Sequence, residues 1–205
     1  GAKLPYIDNL VNLLVVEDHV ALADAEILRV LAPNGVALVK KLDAWAKTVK
    51  PRPEEMDDWT HYLYDATGNP VSKDTLVAPP RHQQWVGGPR WSRHHDHLAS
   101  MNAMVSSDGK LFYVLDEGPT SSIMLPSRWN LIARDAFNGV VLWKKPIPKW
   151  WTRFSPLKSG PAQLPRKLVA EKNRVFITLG IREPVSKLDA ATGDVLATYA
   201  GTENT

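Results

Sequence analysis

The Asn-Gly pair at Asn138-Gly139 most constrains the fold of this 205-residue chain. It lies between two apolar stretches: one reaches Arg134-Asp135, and the other runs from Val140 to Trp143. Asn-Gly between apolar runs predicts a β-hairpin, because a tight two-residue turn needs positive φ at both positions. Upstream, the Asp108-Gly109 turn precedes a predicted strand of large apolar residues, Leu111 to Leu115. Residues 105–143 therefore predict one antiparallel unit.

The same pattern returns once, nearer the carboxyl end. Residues 169–179 repeat the first half of the unit and residues 185–199 repeat the second. Phe176 corresponds to Phe112, and Gly193 corresponds to Gly139. The longer loop at 116–130 absorbs the difference in spacing between the copies. A recurring four-stranded unit with length changes confined to loops is typical of β-propeller blades.

Two segments carry a resemblance to a known family. The segments L-I-A-R-D-A-F-N-G-V-V-L-W and L-D-A-A-T-G-D-V-L resemble the pyrroloquinoline-quinone-type propeller repeat, A-x-D-A-x-T-G-x-x-x-W. In that family the tryptophan packs between neighbouring blades. Trp143 holds this position in the first copy and Ala197 in the second. The resemblance implies a propeller fold at 81–205 and an exported or periplasmic protein, and it allows pyrroloquinoline quinone with calcium as cofactor.

Residues 1–46 predict a truncated α/β Rossmann-like unit. A strand is expected at 9–16, an amphipathic helix at 21–31 ending at Pro33-Asn34-Gly35, and a strand at 36–39. The segments L-P-Y-I-D and E-I-L-R-V-L-A-P-N-G resemble the C-terminal half of a class I S-adenosylmethionine-dependent methyltransferase. The family's cofactor-binding half does not precede Leu4, so S-adenosylmethionine is not expected to bind here. The expected fold class is therefore mixed: this α/β unit followed by about two all-β propeller blades.

Only about two blades are predicted, whereas a closed propeller has about four to eight. The chain is therefore expected to be a piece of a longer protein, with the rest of that protein as one partner. A protein or small-molecule ligand at the propeller channel is the other expected partner. Net charge is only +3, so no nucleic-acid partner is expected. Cysteine is absent, and no apolar run of about 18 residues predicts a membrane span.

Residues 47–80 are predicted to form a linker, because 47–55 is charged and interrupted by proline. Within it, Asp58, Trp59 and His61 either line a site or cap and pack a loop. Further along, residues 149–154 are aromatic and basic. They either pack between blades, which we favour, or stack on a sugar or single-stranded nucleic acid.

The densest polar cluster lies between residues 81 and 104. Its candidate ligand-binding residues are Trp91, Arg93, His94, His95 and His97. On a strand, His95 and His97 share one face while His94 and Asp96 share the other, which leaves only two metal ligands per face. We therefore assign no metal site. The alternatives are hydrogen bonds within a first propeller strand, or contacts to a ligand in the channel.

The favoured function is a non-catalytic propeller module that acts as a ligand- or partner-binding scaffold. One alternative is part of a pyrroloquinoline-quinone-dependent oxidoreductase. That chemistry would need calcium and a catalytic aspartate, for which no residues can be assigned. Another is part of a methyltransferase without its cofactor-binding half. No G-x-S-x-G motif indicates a serine nucleophile, so the catalytic residues are unknown.

Overall fold

The computed structural model describes residues 2–17, 20–79, 83–93, 100–122, 124–148, 150 and 163–203. The chain divides into two compact units. Unit 1 comprises Gly1–Asp57 and Lys73–Val86, and unit 2 comprises Asp58–Ser72 and Gly87–Thr205.

Unit 1 contains a three-stranded sheet in the order β1-β2-β3. Its elements are β1 (Val11–Val16), α1 (Asp24–Val30), β2 (Leu31–Lys41) and β3 (Ala44–Val49). Strand β1 is parallel to β2, and β3 is antiparallel to β2. Ile27 of α1 packs with Leu31 and Ala37 of β2, which buries one apolar stripe of the helix.

The expected fold class, a truncated Rossmann-like α/β unit followed by propeller blades, is wrong. The described residues are nearly all β, in three small sheets, with one α-helix of seven residues. They contain no Rossmann-like α/β unit and no closed propeller. The helix expected at 21–31 is shorter because β2 begins at Leu31 and continues through Pro33-Asn34-Gly35, which we had expected to be a cap. The connection from β1 through α1 to β2 is a parallel crossover, but β3 then returns antiparallel through a short hairpin, so the sheet contains only one parallel pair.

Unit 2 contains two four-stranded antiparallel sheets. The first has the order β4-β5-β6-β7 and the second the order β11-β10-β9-β8, so neighbours in the chain are neighbours in each sheet. The strands of the first sheet are β4 (Met101–Ser107), β5 (Lys110–Asp116), β6 (Trp129–Asp135) and β7 (Val141–Pro146). A short 3-10 helix, Leu164–Lys167, leads into the second sheet, whose strands are β8 (Leu168–Glu171), β9 (Arg174–Thr178), β10 (Val185–Asp189) and β11 (Val195–Tyr199).

The repeated turns between β6 and β7 and between β10 and β11 have the same construction. Asp135 Oδ1 accepts hydrogen bonds from the backbone N–H groups of Phe137 and Asn138, at 2.8 and 3.0 Å. In the second copy, Asp189 Oδ1 caps its turn in the same way. Gly139 and Gly193 have φ of 73° and 76°. Asn138 is not among the residues with positive φ, so the two-residue turn predicted from Asn-Gly is wrong: the turn is longer and is held by the aspartate.

The two sheets of unit 2 share one hydrophobic core. Buried residues from both sheets, with Trp143 against them, form this core: Ala103, Val105, Phe112, Val114, Leu131 and Ala133 from the first sheet, and Leu168, Ala170, Val175, Ile177 and Leu188 from the second. Trp143 Nε1 donates to the Ala190 carbonyl at 3.1 Å, so this side chain of β7 reaches the second sheet. A Cβ at Gly193 would lie 2.8 Å from the Trp143 ring, so only glycine permits this approach.

The carboxylate of Glu26 fixes the start of unit 1. It accepts hydrogen bonds from Arg29 Nε and Nη2, at 2.8 and 2.7 Å, and from the Leu4 backbone N–H at 2.6 Å. The hydrogen bonds from Arg29, followed by that from Leu4, lower the pKa of Glu26 from 4.5 to about 2. The ionised carboxylate therefore stabilises the fold above about pH 4.5, and this stabilisation is lost as the pH falls towards 2.

Replacing Glu26 with Gln should weaken the dependence of unit 1 stability on pH between 4.5 and 2. The wild type should lose protection steeply over this range, whereas Glu26→Gln should start less protected and change less. Hydrogen–deuterium exchange of peptides from β1 and β2 measures this. Asp24→Asn, in the same helix, should keep the wild-type profile. Equal pH profiles for Glu26→Gln and the wild type would contradict the role of this carboxylate.

Replacing Trp143 with Ala should destabilise unit 2 by about 3 kcal/mol, because it leaves a cavity between the two sheets and removes the bond to Ala190. Urea denaturation followed by circular dichroism measures the loss. Trp91→Ala is the matched control, because the Trp91 side chain is 69% exposed and should cost less than about 0.5 kcal/mol. Similar losses for the two variants would show that Trp143 does not hold the sheets together.

Candidate functional site

The structure describes two of the five predicted ligand-binding residues. Trp91 is 69% exposed, and the guanidinium carbon of Arg90 lies 5.4 Å from its ring centroid. Arg93 is buried. His94, His95 and His97 lie outside the described residues. The ligand-binding role of this group therefore stays a prediction.

Arg93 forms a buried ion pair with Asp116, at the end of β5. The two side chains are 1% and 5% exposed, and Arg93 Nη1 lies 3.1 Å from Asp116 Oδ2. Arg93 also donates to the backbone carbonyls of Pro126, Ser122 and Leu125. Burying two charges is tolerated only when they are paired and hydrogen-bonded. Here the charges are paired and both Nη1 and Nη2 of Arg93 donate hydrogen bonds, whereas Nε has no partner within the described residues. Arg93 thus organises the long loop between β5 and β6.

The other end of this loop is held by the same carboxylate. Asp116 Oδ1 accepts hydrogen bonds from the backbone N–H groups of Gly118 and Arg128, at 2.9 and 2.8 Å. A Cβ at residue 118 would lie 2.0 Å from Arg93 Nη1, so glycine is required beside the ion pair. Both amino groups of the Arg93 guanidinium donate hydrogen bonds to carbonyl groups of this loop.

The segment from Asp58 to Tyr64 joins the edges of both sheets of unit 2. The Trp59 carbonyl accepts from the Ser106 N–H of β4 at 2.7 Å, and the Thr60 carbonyl accepts from the Ala170 N–H of β8 at 3.0 Å. Asp58 accepts from the Asp108 N–H at 3.1 Å, which caps the turn between β4 and β5. Of the three candidates in this stretch, Asp58 therefore caps a turn, Trp59 packs on a neighbouring ring, as described next, and His61 borders a pocket.

A tight turn gives this segment its shape. Trp59 and Tyr64 pack edge to face with ring centroids 5.5 Å apart. The His61 N–H donates to the Tyr64 carbonyl at 3.0 Å, and Tyr64 has a φ of 70°. A bulky residue in the left-handed region is strained, and its surroundings must hold it there. The turn places His61 and Tyr62 at the edge of the first of two pockets.

This larger pocket has a volume of about 410 Å³. Its walls come from the 61–68 loop on one side and from the 3-10 helix and β8 on the other: His61, Tyr62, Leu63, Asp65, Ala66, Gly68, Arg166 and Val169. His61 Nδ1 is 2.8 Å from Thr60 Oγ1, which orients the imidazole ring. Asp65 Oδ1 accepts from the backbone N–H of Thr67 and from its hydroxyl, so this carboxylate shapes the loop.

The smaller pocket has a volume of about 260 Å³ and lies against the face of the second sheet that is turned away from the shared core. Its lining combines apolar residues with polar ones near the 3-10 helix: Gln163, Arg166, Lys167, Val169, Phe176, Ile177, Thr178 and Val185. Arg166 and Val169 line both pockets.

The corresponding phenylalanines of the two repeats, Phe112 and Phe176, differ in burial. In the first sheet, Trp143 packs near Phe112, with ring centroids 6.0 Å apart, and Phe112 is fully buried. In the second sheet, β11 has Ala197 opposite Lys187 of β10, and Lys187 is opposite Phe176. Phe176 is only partly buried and borders the smaller pocket. Phe112 lies on the face of the first sheet that packs in the shared core, whereas Phe176 lies on the face of the second sheet away from that core, and this accounts for the difference.

The charge of these pockets comes mainly from two adjacent cations. Lys167 is partly buried, and burial lowers the pKa of its ammonium group from 10.5. Arg166 is exposed, and within the described part of the chain its guanidinium has no hydrogen-bond or salt-bridge partner. Sequence reasoning treated 155–166 as a loop and missed both residues. The available signal was the pair of cations directly before β8.

The described residues contain no group of three or more His, Asp or Glu that could hold a metal ion. The described part of the chain also has no helix long and apolar enough to cross a membrane. The chain matches no known protein-family model and no curated protein.

Replacing Asp116 with Ala should cost about 3 kcal/mol, because it leaves the Arg93 charge buried without its partner. Urea denaturation measures the loss. Lys144→Ala is the control: it breaks the more exposed pair with Glu117, at 2.6 Å, and should cost less than about 1 kcal/mol. If the two variants were equally stable, the buried pair would not be what holds the β5–β6 loop.

Proposed function

We propose that unit 2 is a non-catalytic binding module that holds a small anionic ligand with an apolar body in the two pockets beside Arg166. The observation that carries this proposal is the position of Arg166, which lines both pockets while its guanidinium has no partner among the described residues. A guanidinium presents five donors in a fixed fork that matches a carboxylate or a phosphate.

The charges around Arg166 favour an anion. Lys167 lines the smaller pocket and adds a second positive charge next to Arg166. Burial disfavours its charged form, and an anion bound nearby would favour that form again. In the larger pocket, the carboxylate of Asp65 already accepts two hydrogen bonds from Thr67.

The apolar lining favours a ligand that is more than an inorganic ion. Val169, Phe176, Ile177 and Val185 line the smaller pocket. Binding sites for small molecules are usually concave and apolar, with a few polar groups that orient the ligand. An anion with an apolar body satisfies both parts of this lining.

The resemblance of the two repeats to pyrroloquinoline-quinone-type repeats belongs to the same proposal. It is supported by Trp143, which packs between the two sheets as the resemblance implies. A scaffold of repeated sheets that carries a ligand between its loops needs no catalytic residues, and function must be argued from the site rather than the repeat.

Benzoate is a suitable first probe, because it combines one carboxylate with an apolar ring. Titration followed by protein NMR should show saturable shifts for residues of β8 and β9, with weaker shifts from acetate at the same concentration. Arg166→Gln should lower benzoate affinity at least about tenfold, the usual loss for a charge-assisted hydrogen bond.

Arg182→Gln is the matched control. Arg182 is exposed, does not line either pocket, and its replacement changes net charge by the same amount. Its affinity for benzoate should equal that of the wild type. Equal losses in the two variants would indicate general charge attraction and would contradict a site at Arg166, as would an absence of saturable binding.

A further inference from the structure

We infer that Thr178 selects the ligand of the smaller pocket, and that this ligand is a carboxylate whose apolar body carries a hydroxyl group. The inference rests on the anion site proposed at Arg166. It adds a second polar contact to the pocket lining at the end of β9 that lies beside Lys167, because Leu168 pairs with Ile177.

The Thr178 hydroxyl is buried. Thr178 is 2% exposed, and its Oγ1 is buried without a hydrogen-bond partner within the described residues. Buried hydroxyls are nearly always hydrogen-bonded, because leaving one unpaired costs the full penalty of removing it from water. Because Thr178 also lines the smaller pocket, a ligand bound there supplies the partner of this hydroxyl.

Thr178 lies on the same face of the second sheet as apolar residues that line the smaller pocket. Thr178 lies two residues after Phe176 on β9, so their side chains share one face. Val185 of β10 is directly opposite Thr178 and also lines the smaller pocket. The hydroxyl is thus a polar group set among Phe176, Val185 and Val169 on the face away from the shared core.

The Thr178 hydroxyl and the two cations belong to the same end of the β8–β9 pair. Arg166 and Lys167 end the 3-10 helix directly before β8, and Thr178 is the last residue of β9, one position beyond the pair formed by Leu168 and Ile177. An anion held by the cations leaves the apolar body of the ligand against Phe176 and Val185. A hydroxyl on that body can donate to Thr178 Oγ1 or accept from it.

The smaller pocket is a small one. Its volume of about 260 Å³ is near the lower end of the range of about 300–1,000 Å³ for small-molecule sites, which favours a ligand of about one ring. A site that hydrogen-bonds a ligand hydroxyl rejects the analogue without it, because the buried protein group is then left unpaired.

The experiment compares benzoate with its three monohydroxylated isomers by NMR titration of the whole chain. In the wild type, at least one isomer should bind about fivefold or more tightly than benzoate, the value of one additional hydrogen bond. Thr178→Val keeps the shape and removes the hydroxyl, so the ratio of the affinities for that isomer and for benzoate should fall below about twofold. Thr178→Ser should restore the preference.

Thr198→Val is the control. Thr198 lies on β11, outside the smaller pocket, with its hydroxyl 3.5 Å from that of Ser186. It should keep the wild-type preference. Equal binding of benzoate and all three isomers to the wild type, or a preference that persists in Thr178→Val, would overturn the role of Thr178 and leave the anion site standing. Failure of every probe to bind would overturn both.

Discussion

The contact between the two sheets of unit 2 is the interaction on which most of its structure depends. Each sheet is a four-stranded antiparallel meander, which buries one face only by packing it against another layer. The first sheet supplies Trp143 and Phe112, and the second supplies Val175, Ile177 and Leu188. Gly193 allows the indole ring to approach, and the Ala190 carbonyl accepts its N–H. The candidate site lies on the other face of the second sheet, so its position follows from this packing.

The strands of unit 2 could be predicted because their signals are local. The strand expected at Leu111 to Leu115 lies within β5, and the repeated positions at 175–179 lie largely within β9. The turn type was wrong, because Asp135 and Asp189 cap the turns and only the glycines adopt positive φ. Both copies have an aspartate before the turn. Its carboxylate accepts hydrogen bonds from backbone N–H groups of the turn, and a motif of two residues does not include this interaction.

In unit 1, the sequence pattern did not determine the secondary structure correctly. Pro33-Asn34-Gly35 has the composition of a helix cap, but the chain there is already in β2. A short apolar run cannot by itself distinguish a buried helix from a strand. The fold class was inferred from a motif resemblance across these residues, whereas the pairing with β3 at Ala44–Val49 depends on contacts that the motif does not contain.

The candidate site was harder to predict than the strands. Its residues come from the 61–68 loop, the 3-10 helix before β8, and β9, which are far apart in sequence. Each segment has an ordinary composition, and only the fold brings them together. His61 was singled out in advance, but Arg166 and Thr178 were not. Arg93 was singled out from a polar cluster, yet its partner Asp116 lies 23 residues away, and a one-dimensional cluster cannot reveal such a pairing.

The close fit of Gly118 against Arg93 has a consequence for how this chain can vary. A side chain at 118 would occupy the space of the guanidinium, and a shorter side chain at 93 would leave the Asp116 carboxylate without its counter-charge. Neither position can therefore change alone without loss. The Pro126 carbonyl oxygen would also lie 2.7 Å from a Cβ at residue 118, so shortening residue 93 does not by itself make room for a side chain there. The β5–β6 connection should therefore change in sequence only where several of its residues change together.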